Sequence, residues 1–436
     1  MISVLQALSL VRAEPLAPVL ARLTPGLDPA VASGLDPAVA SGLDPTVAVP
    51  GLVLAADVFA PLSLPPWPQS SVDGYALAHG NLEWLDVVGE IPAGSVPDFR
   101  VGPGQAARIF TGAMLPPGAD TVIMQEQVTL SAGRIRPAYG ERGSYVRPAG
   151  SEISAGAPAL PAGTPLSPAA IGFLASMGIE QVFVYPLPRV GLITTGGELQ
   201  VPGRPLAAGQ VYESNSFALR AALREPGGAA TFQQLAGAAV PGGLAFYRHT
   251  PDDPGPTIAE ALERCDVLLL TGGVSVGDYD FVPRALEAAG VECLFHRVRQ
   301  RPGKPLWFGK AGQVPVFGLP GNPASVLTCF YIYVRPLLDQ LAGRAPRLTG
   351  RLPLNAPYRK PPGLTHFLKG VATGTDVATG GSVATSGSVA TGAGVTPLDG
   401  QESYRMSTFA RANCLIVLPE TSEVMERGDL VDVYYL

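Results

Sequence analysis

The chain is short of lysine: Lys304, Lys310, Lys360 and Lys369 are the only four among 30 basic residues, and arginine supplies the rest. Charged residues of both signs make up 15% of 436, the net charge is −6, and no basic run exceeds two residues. Affinity for a phosphate backbone needs clustered Lys and Arg, so no nucleic-acid partner is expected. Cysteine is scarce too. Cys265, Cys293, Cys329 and Cys414 lack CxxC spacing and sit in apolar stretches, which reads as buried, reduced thiols of a cytoplasmic protein. The histidines, His79, His249, His296 and His366, show no metal-ligand spacing. No Ser-His-Asp order or nucleophile elbow is present, so a hydrolase of that type is unsupported. No apolar run approaches the roughly 18 residues that span a bilayer. The apolar first eleven residues have neither a positive n-region nor a small-residue cleavage site, so no signal peptide is expected.

What is present centres on Cys265–Pro323. Two apolar runs, Asp266-Val-Leu-Leu-Leu270 and Val314-Pro-Val-Phe-Gly-Leu319, are short enough for buried parallel strands. Each enters a glycine turn and then a helical pattern. The first turn is Thr271-Gly-Gly-Val-Ser-Val-Gly277, followed by Asp278, Asp280 and a helix over 281–289. The second is Pro320-Gly-Asn-Pro323, with Asn322 as N-cap and Pro323 as first helical residue. Glycines at strand ends let a ligand approach the backbone, and a helix N-terminus offers N–H groups to an anion. Between the turns lies Arg301-Pro-Gly-Lys-Pro305.

Strand and helix alternate from Arg189 onward, over about 150 residues, which indicates a doubly wound α/β sheet. Val190–Thr194 is a strand ending in Thr195-Gly-Gly-Glu198; helices are expected over 214–224, 257–264 and 324–341, and a strand near 231–240. Such sheets bind ligands beyond their strand C-termini, where strand order switches. That rule gathers Glu198, Asp252, Asp278, Asp280 and the 320–323 turn on one rim. Upstream, residues 52–148 are β-rich and turn-dense, with an Asp73-Gly74 turn after a proline-stiffened segment and a Thr111-Gly112 after a strand. Residues 150–176 return as a connector, with a short helix over 169–177. At the N-terminus, Leu5, Leu8, Val11 and Leu16 keep helical spacing up to Pro15. An octet, Gly26-Leu-Asp-Pro-Ala-Val-Ala-Ser33, recurs at 34–41 and in decayed form from 42; that is too little for a solenoid and reads as an expanded loop. Past residue 346 the pattern is again β-like, interrupted by a low-complexity run over 371–394.

TGGVSVG is neither a Walker A loop, since Asp278 follows Gly277, nor a GxGxxG. Carboxylates beside phosphate-compatible turns instead suit a Mg²⁺-assisted phosphoanhydride reaction, because Mg²⁺ takes one or two carboxylates plus substrate phosphate oxygens. Each acid alone reads equally well as a helix cap, and Lys304 alone as a surface lysine. The residues by themselves carry the argument to a Mg²⁺-phosphate site on a doubly wound domain.

Taken together and in order, SVDGYAL, RIFTGAMLPPGADTVIMQE, TGGVSVGDYDF, RPGKP and FGLPGNPAS resemble the molybdopterin molybdotransferase family (MoeA and the E-domain of gephyrin). The resemblance implies a multidomain α/β and β architecture: an elongated helical connector (1–50 and 149–188), a β-rich domain (51–148), a doubly wound α/β molybdopterin-binding domain (189–343) and a C-terminal β-barrel (344–436) carrying the insertion. It implies a cytoplasmic transferase of molybdenum cofactor biosynthesis that inserts molybdate into adenylylated molybdopterin with Mg²⁺-dependent release of AMP. It also implies a homodimer with a site shared between subunits, and a molybdopterin adenylyltransferase and molybdoenzyme-maturation proteins as partners. Carried over by position, Asp73, Thr111, Glu198, Asp252, Asp280 and Lys304 are catalytic, with Glu198, Asp252 and Asp280 on the metal. Gly272, Gly273, Ser275, Gly277, Arg297, Arg301, Pro305, Pro320, Gly321, Asn322, Ser325, Lys369 and Ser403 bind substrate. The chain departs from the family at Arg297 and Arg301 (often lysines), at Lys369 (often arginine), and at Thr195-Gly-Gly-Glu198, which lacks the acid of the commoner Gly-Asp-Glu. Arginine forks where lysine is a point charge, so charge is kept but geometry is not. Two other readings are a molybdopterin adenylyltransferase, which needs neither the Asp73 domain nor the C-terminal barrel, and a gephyrin-like scaffold, which depends on further fused domains.

Overall fold

A computed structural model of the chain describes residues 1–13, 15–22, 51–80, 83–138, 140–224, 243–250, 254–274, 281–345, 349–374 and 393–436. The octet repeat, the expected strand at 231–240 and most of the low-complexity run lie outside them. The chain divides into two compact units, Met1–Ala55 with Phe183–Leu436, and Ala56–Val182. Of the connector's expected second half, 149–182 falls in the Ala56–Val182 unit, where 158–160 pairs with 58–59, and 183–188 falls with the N-terminal segment, where 184–185 pairs with 53–54.

In the Ala56–Val182 unit a six-stranded sheet runs 121–124, 74–77, 105–109, 85–91, 134–137, 128–131. Gly74–Leu77 is buried along its whole length between two antiparallel neighbours. Gly74 opens this strand rather than completing a turn; the Ile123 carbonyl oxygen fills the space where a Cβ would stand. The helix Pro168–Ser176 forms where expected, capped by the Ser167 hydroxyl, which accepts from the Ala170 N–H.

The other unit begins with a helix, Val4–Leu10, closed by a capping box between Ser3 and Gln6. Its buried stripe is Val4, Ala7 and Val11, whereas Leu5 is 79% exposed. The N-terminal segment is also less helical than expected, since Val19–Arg22 is a strand. The α/β domain supplies β1 (Arg189–Thr195), α1 (Asn215–Ala222), β2 (Gly243–Thr250), α2 (Gly255–Arg264), β3 (Val267–Thr271), α3 (Val282–Ala288), β4 (Glu292–His296), β5 (Trp307–Ala311), β6 (Val314–Leu319) and α4 (Pro323–Cys329). Sheet order is β2-β1-β3-β6-β5-β4. The first four strands are parallel, and β5 and β4 extend the sheet antiparallel. Every residue of β3 is buried, and β1 and β6 are buried at all but their first residue. This is why these strands read as unbroken apolar runs: helices cover both faces of a central parallel strand. Ile193, Leu268, Leu270 and Val316 pack there with Ile258, Val282, Leu286 and Trp307. Helix α4 continues through a π-helical turn, Phe330–Val334, into Arg335–Leu341.

The C-terminal residues add β7 (Thr349–Pro353), β8 (Thr365–Thr373), β9 (Cys414–Leu418) and β10 (Leu430–Tyr435). Their sheet runs 300–301, β8, β9, β10, β7, with 394–397 paired to β8. Its two ends do not pair among the described residues, where the sheet forms a half-barrel. Thr373 pairs with Gly394, so the low-complexity run joins two hydrogen-bonded strands. Gln300–Arg301 runs parallel to Thr365–His366, which ties the RPGKP loop of the α/β domain to the C-terminal sheet.

Candidate functional site

From β1 the chain goes to β2 on one side and then to β3 on the other. The carboxyl ends of β1 and β3 therefore flank a topological switch point, where doubly wound sheets leave a crevice. Past β1, the exposed Glu198 folds back so that its carboxylate oxygens stand 2.7 and 2.8 Å from where a Gly196 Cβ would be. Past β3, Gly272 has φ +88°, and a Cβ there would run into the Thr195 carbonyl and come within 2.9 Å of Thr195 Oγ1. Only glycine fits such a close approach of two strand ends. Gly273 packs instead against Val282 and Phe281.

A cleft of about 1010 Å³ opens here between the α/β domain and the C-terminal sheet. Glu198, Arg301, Lys304 and Pro305 line it, together with Pro320, Gly321, Asn322 and Ser325 of the turn into α4, and Ser403. Nine residues singled out in the sequence thus share one wall. Arg297, Lys369, Gly272 and Gly273 are not on it. Arg297 sits at φ +75°, its N–H donating to the Leu306 carbonyl and its carbonyl accepting from Ile2. Asp252, Ser275, Gly277 and Asp280 lie outside the described residues.

The RPGKP loop is held from behind. Gln300, fully buried, donates from Nε2 to the carbonyls of Pro302 and Gly303, each at 3.2 Å, and its Oε1 accepts from the Tyr333 hydroxyl. Gly303 has φ +86°, and a Cβ there would stand 2.5 Å from Cys329 Sγ. Lys304 projects from this loop and is exposed. Lys310 Nζ donates to the Arg12 carbonyl, Lys360 Nζ to those of Pro361 and Leu364, and Lys369 Nζ to three carbonyls. Among the described residues, Lys304 is the one lysine whose ammonium ends on no carbonyl. Burial lowers the pKa of both Lys360 and Lys369, opposed in each case by nearby glutamates.

The turn into α4 departs from expectation. Asn322 is the N-cap residue, but its side chain makes no cap bond; Nδ2 donates instead to Ser403 Oγ at 3.0 Å. The Ala324 N–H donates to the Ser403 carbonyl at 3.1 Å. One of the helix N-terminal donors is therefore satisfied by the C-terminal domain rather than left for a ligand. Sequence reasoning missed Asn215, which lines the cleft and donates from Nδ2 to the Gly321 carbonyl at 2.9 Å, while its Oδ1 has no partner among the described residues. It also missed Gln300, Gln401 and the exposed Tyr404 on the wall. Tyr-Glu-Ser-Asn-Ser across the start of α1 was the one available signal: Glu213 accepts from the Ser216 N–H and hydroxyl, fixing the helix start.

In the Ala56–Val182 unit, Gly74 pairs with Ile109, so Asp73 and Thr111 come together just past that pair. Asp73 Oδ1 accepts from both the N–H and the hydroxyl of Thr111, each at 2.8 Å. The Thr111 N–H, then its hydroxyl, with Arg108 beyond, hold the Asp73 pKa below the ordinary carboxylate value.

Among the described residues no group of three or more His, Cys, Asp or Glu is gathered for a metal. On the cleft wall Glu213 is engaged by Ser216 and Glu402 by Arg405, which leaves Glu198 to face the cleft. One exposed carboxylate beside room for phosphate oxygens and water fits Mg²⁺ and does not fit a closed protein cage.

Three family models match in sequence: "MoeA N-terminal region (domain I and II)" over residues 3–178, "Probable molybdopterin binding domain" over 191–340, and "MoeA C-terminal region (domain IV)" over 351–436. Proteins named molybdopterin molybdenumtransferase are similar in sequence. That of Nostoc sp. is 40% identical over 68% of this chain and 69% of its own length. That of Haemophilus influenzae is 32% identical over 87% and 90%. A solved molybdopterin biosynthesis moeA protein of Pyrococcus horikoshii matches with TM-score 0.71 at 25% identity over 100% of both chains. With matches along nearly its whole length and the switch-point cleft in place, the chain belongs to the MoeA family of molybdopterin molybdenumtransferases.

Proposed function

We propose that this transferase of molybdenum cofactor biosynthesis takes adenylylated molybdopterin and molybdate into the cleft and releases AMP as molybdenum passes to the dithiolene. The observation that carries the reading is Lys304: its ammonium, uncommitted to any carbonyl among the described residues, shares a wall with Glu198, the Pro320–Pro323 turn and Ser403. Cleavage of the phosphoanhydride bond moves negative charge onto phosphoryl oxygens. Lys304 and Arg301 neutralise that charge in a cleft that also positions the substrate. Ser325 and Ser403 offer hydroxyls to the phosphate or molybdate oxygens. Glu198, with Asp252 and Asp280, would hold Mg²⁺, which would supply further positive charge beside the phosphates. The protein acts in the cytoplasm as a homodimer in which the Asp73–Thr111 pair of one subunit serves the cleft of its partner, and it exchanges pterin with an adenylyltransferase and molybdoenzyme-maturation proteins.

Purified protein given adenylylated molybdopterin, Mg²⁺ and molybdate is expected to release AMP, and Asp280→Asn to abolish that release without loss of fold. Unchanged AMP release by Asp280→Asn contradicts the metal assignment. Formation of the adenylylated pterin from ATP would favour the adenylyltransferase instead.

A further inference from the structure

Family position assigns residue 369 to the substrate, but here its charge is engaged elsewhere. Lys369 lies in β8 and is 2% exposed. Its Nζ donates to the carbonyls of Gly400 at 2.9 Å, Glu402 at 3.1 Å and Arg405 at 3.3 Å. An ammonium has three N–H donors, so none is left for a ligand. The backbone of the same residue closes the other half of the clamp. Its N–H donates to Gln401 Oε1 at 2.9 Å, and its carbonyl accepts from Gln401 Nε2 at 2.9 Å and from the Leu398 N–H at 2.9 Å. The loop folded this way meets the start of α4 through Ser403: Oγ accepts from Asn322 and the carbonyl from Ala324. An arginine could not repeat the arrangement, because its planar fork cannot converge on three carbonyls around one point.

We propose that Lys369 is a positioning residue: with Gln401 it folds the 398–405 loop so that Ser403 stands against Asn322, and it acts on the reaction through Ser403 without touching substrate. The proposal rests on the transferase reading only for its kinetic readout. The test is a double-mutant cycle on kcat/KM for molybdate-dependent AMP release with Lys369→Met, Ser403→Ala and the double variant. A displaced positioning group costs between ~10- and ~100-fold. Each single variant is expected to lose that much, and the double no more than the worse single, because both act through one contact. Losses that multiply overturn the proposal, since an independent substrate contact gives that result. Removing a buried ammonium can itself unfold the loop's surroundings, so Gln401→Leu, which leaves the charge in place, is carried through the same cycle. Wild-type kcat/KM in Gln401→Leu also overturns it. Backbone hydrogen exchange over 398–405 reads the clamp without catalysis: protection is expected to fall in both Lys369→Met and Gln401→Leu, and retained protection counts against the clamp. If the wild-type protein releases no AMP, the transferase reading fails while the exchange data still decide the loop.

Discussion

The Asp73 carboxylate receives two close hydrogen bonds from one residue. The Thr111 N–H and hydroxyl reach the same carboxylate oxygen, and they keep Asp73 ionised to lower pH than an ordinary aspartate. Thr111→Val removes the hydroxyl and leaves the N–H, so the Asp73 pKa should rise part of the way toward its ordinary value in an NMR titration; an unmoved titration contradicts the account. A carboxylate whose folded pKa is depressed contributes stability above its unfolded pKa and loses it as pH falls through the folded one. Residue types were the most legible part of the sequence. Glu198, Lys304 and Asn322 were singled out because strand ends, glycine turns and a lone lysine carry chemical meaning at fixed spacing, whereas Ser403 was named only through the family resemblance. What spacing could not reveal was engagement. Nothing local distinguishes Lys304, which ends on no carbonyl, from Lys369, which ends on three.

At the scale of elements, the RPGKP loop depends on the helix behind it. Gly303 combines φ +86° with a Cys329 Sγ that would stand 2.5 Å from any Cβ. Gly303→Ala is therefore expected to destabilise the protein by about 1–3 kcal/mol, from left-handed strain together with overpacking. Urea unfolding checks this, and an unchanged midpoint contradicts it. Buried strands were legible as apolar runs, and α1, α2 and α3 were expected within about two residues of their ends, because glycine and proline mark termini chemically, while the helix expected over 324–341 covers α4 and its continuation to Leu341. The antiparallel pair β5 and β4 was not foreseen, since apolar content fixes burial and not strand direction. The Asp73-Gly74 dipeptide misled for a related reason: glycine serves a close backbone approach as readily as a turn. The supporting bonds of Gln300 and Tyr333 join residues 33 apart in sequence, a pairing only the folded chain reveals.

At the scale of the molecule, His366 reports on how the C-terminal sheet meets the α/β domain. Burial, with Lys360 and Arg301 adding to it, pushes the His366 pKa down to about 4. Unfolded chains take up that proton near pH 6.5, so between there and about 4 the unfolded state binds more protons and stability falls as pH falls. His366→Gln is expected to flatten this acid limb in urea midpoints measured across that range; a limb of unchanged slope contradicts it. The shared-site proposal has its own test. Asp73→Asn and Lys304→Met homodimers, each inactive, are unfolded, mixed and refolded together. Random reassortment makes half the dimers mixed, each with one intact site, so about a quarter of wild-type activity should return. No recovery contradicts a site shared between subunits. The central claim concerns Lys304 itself, and single-turnover AMP release by Lys304→Met tests it most directly. The account predicts a fall of ~10²-fold or more from wild type with the fold intact, whereas release at the wild-type rate would contradict it.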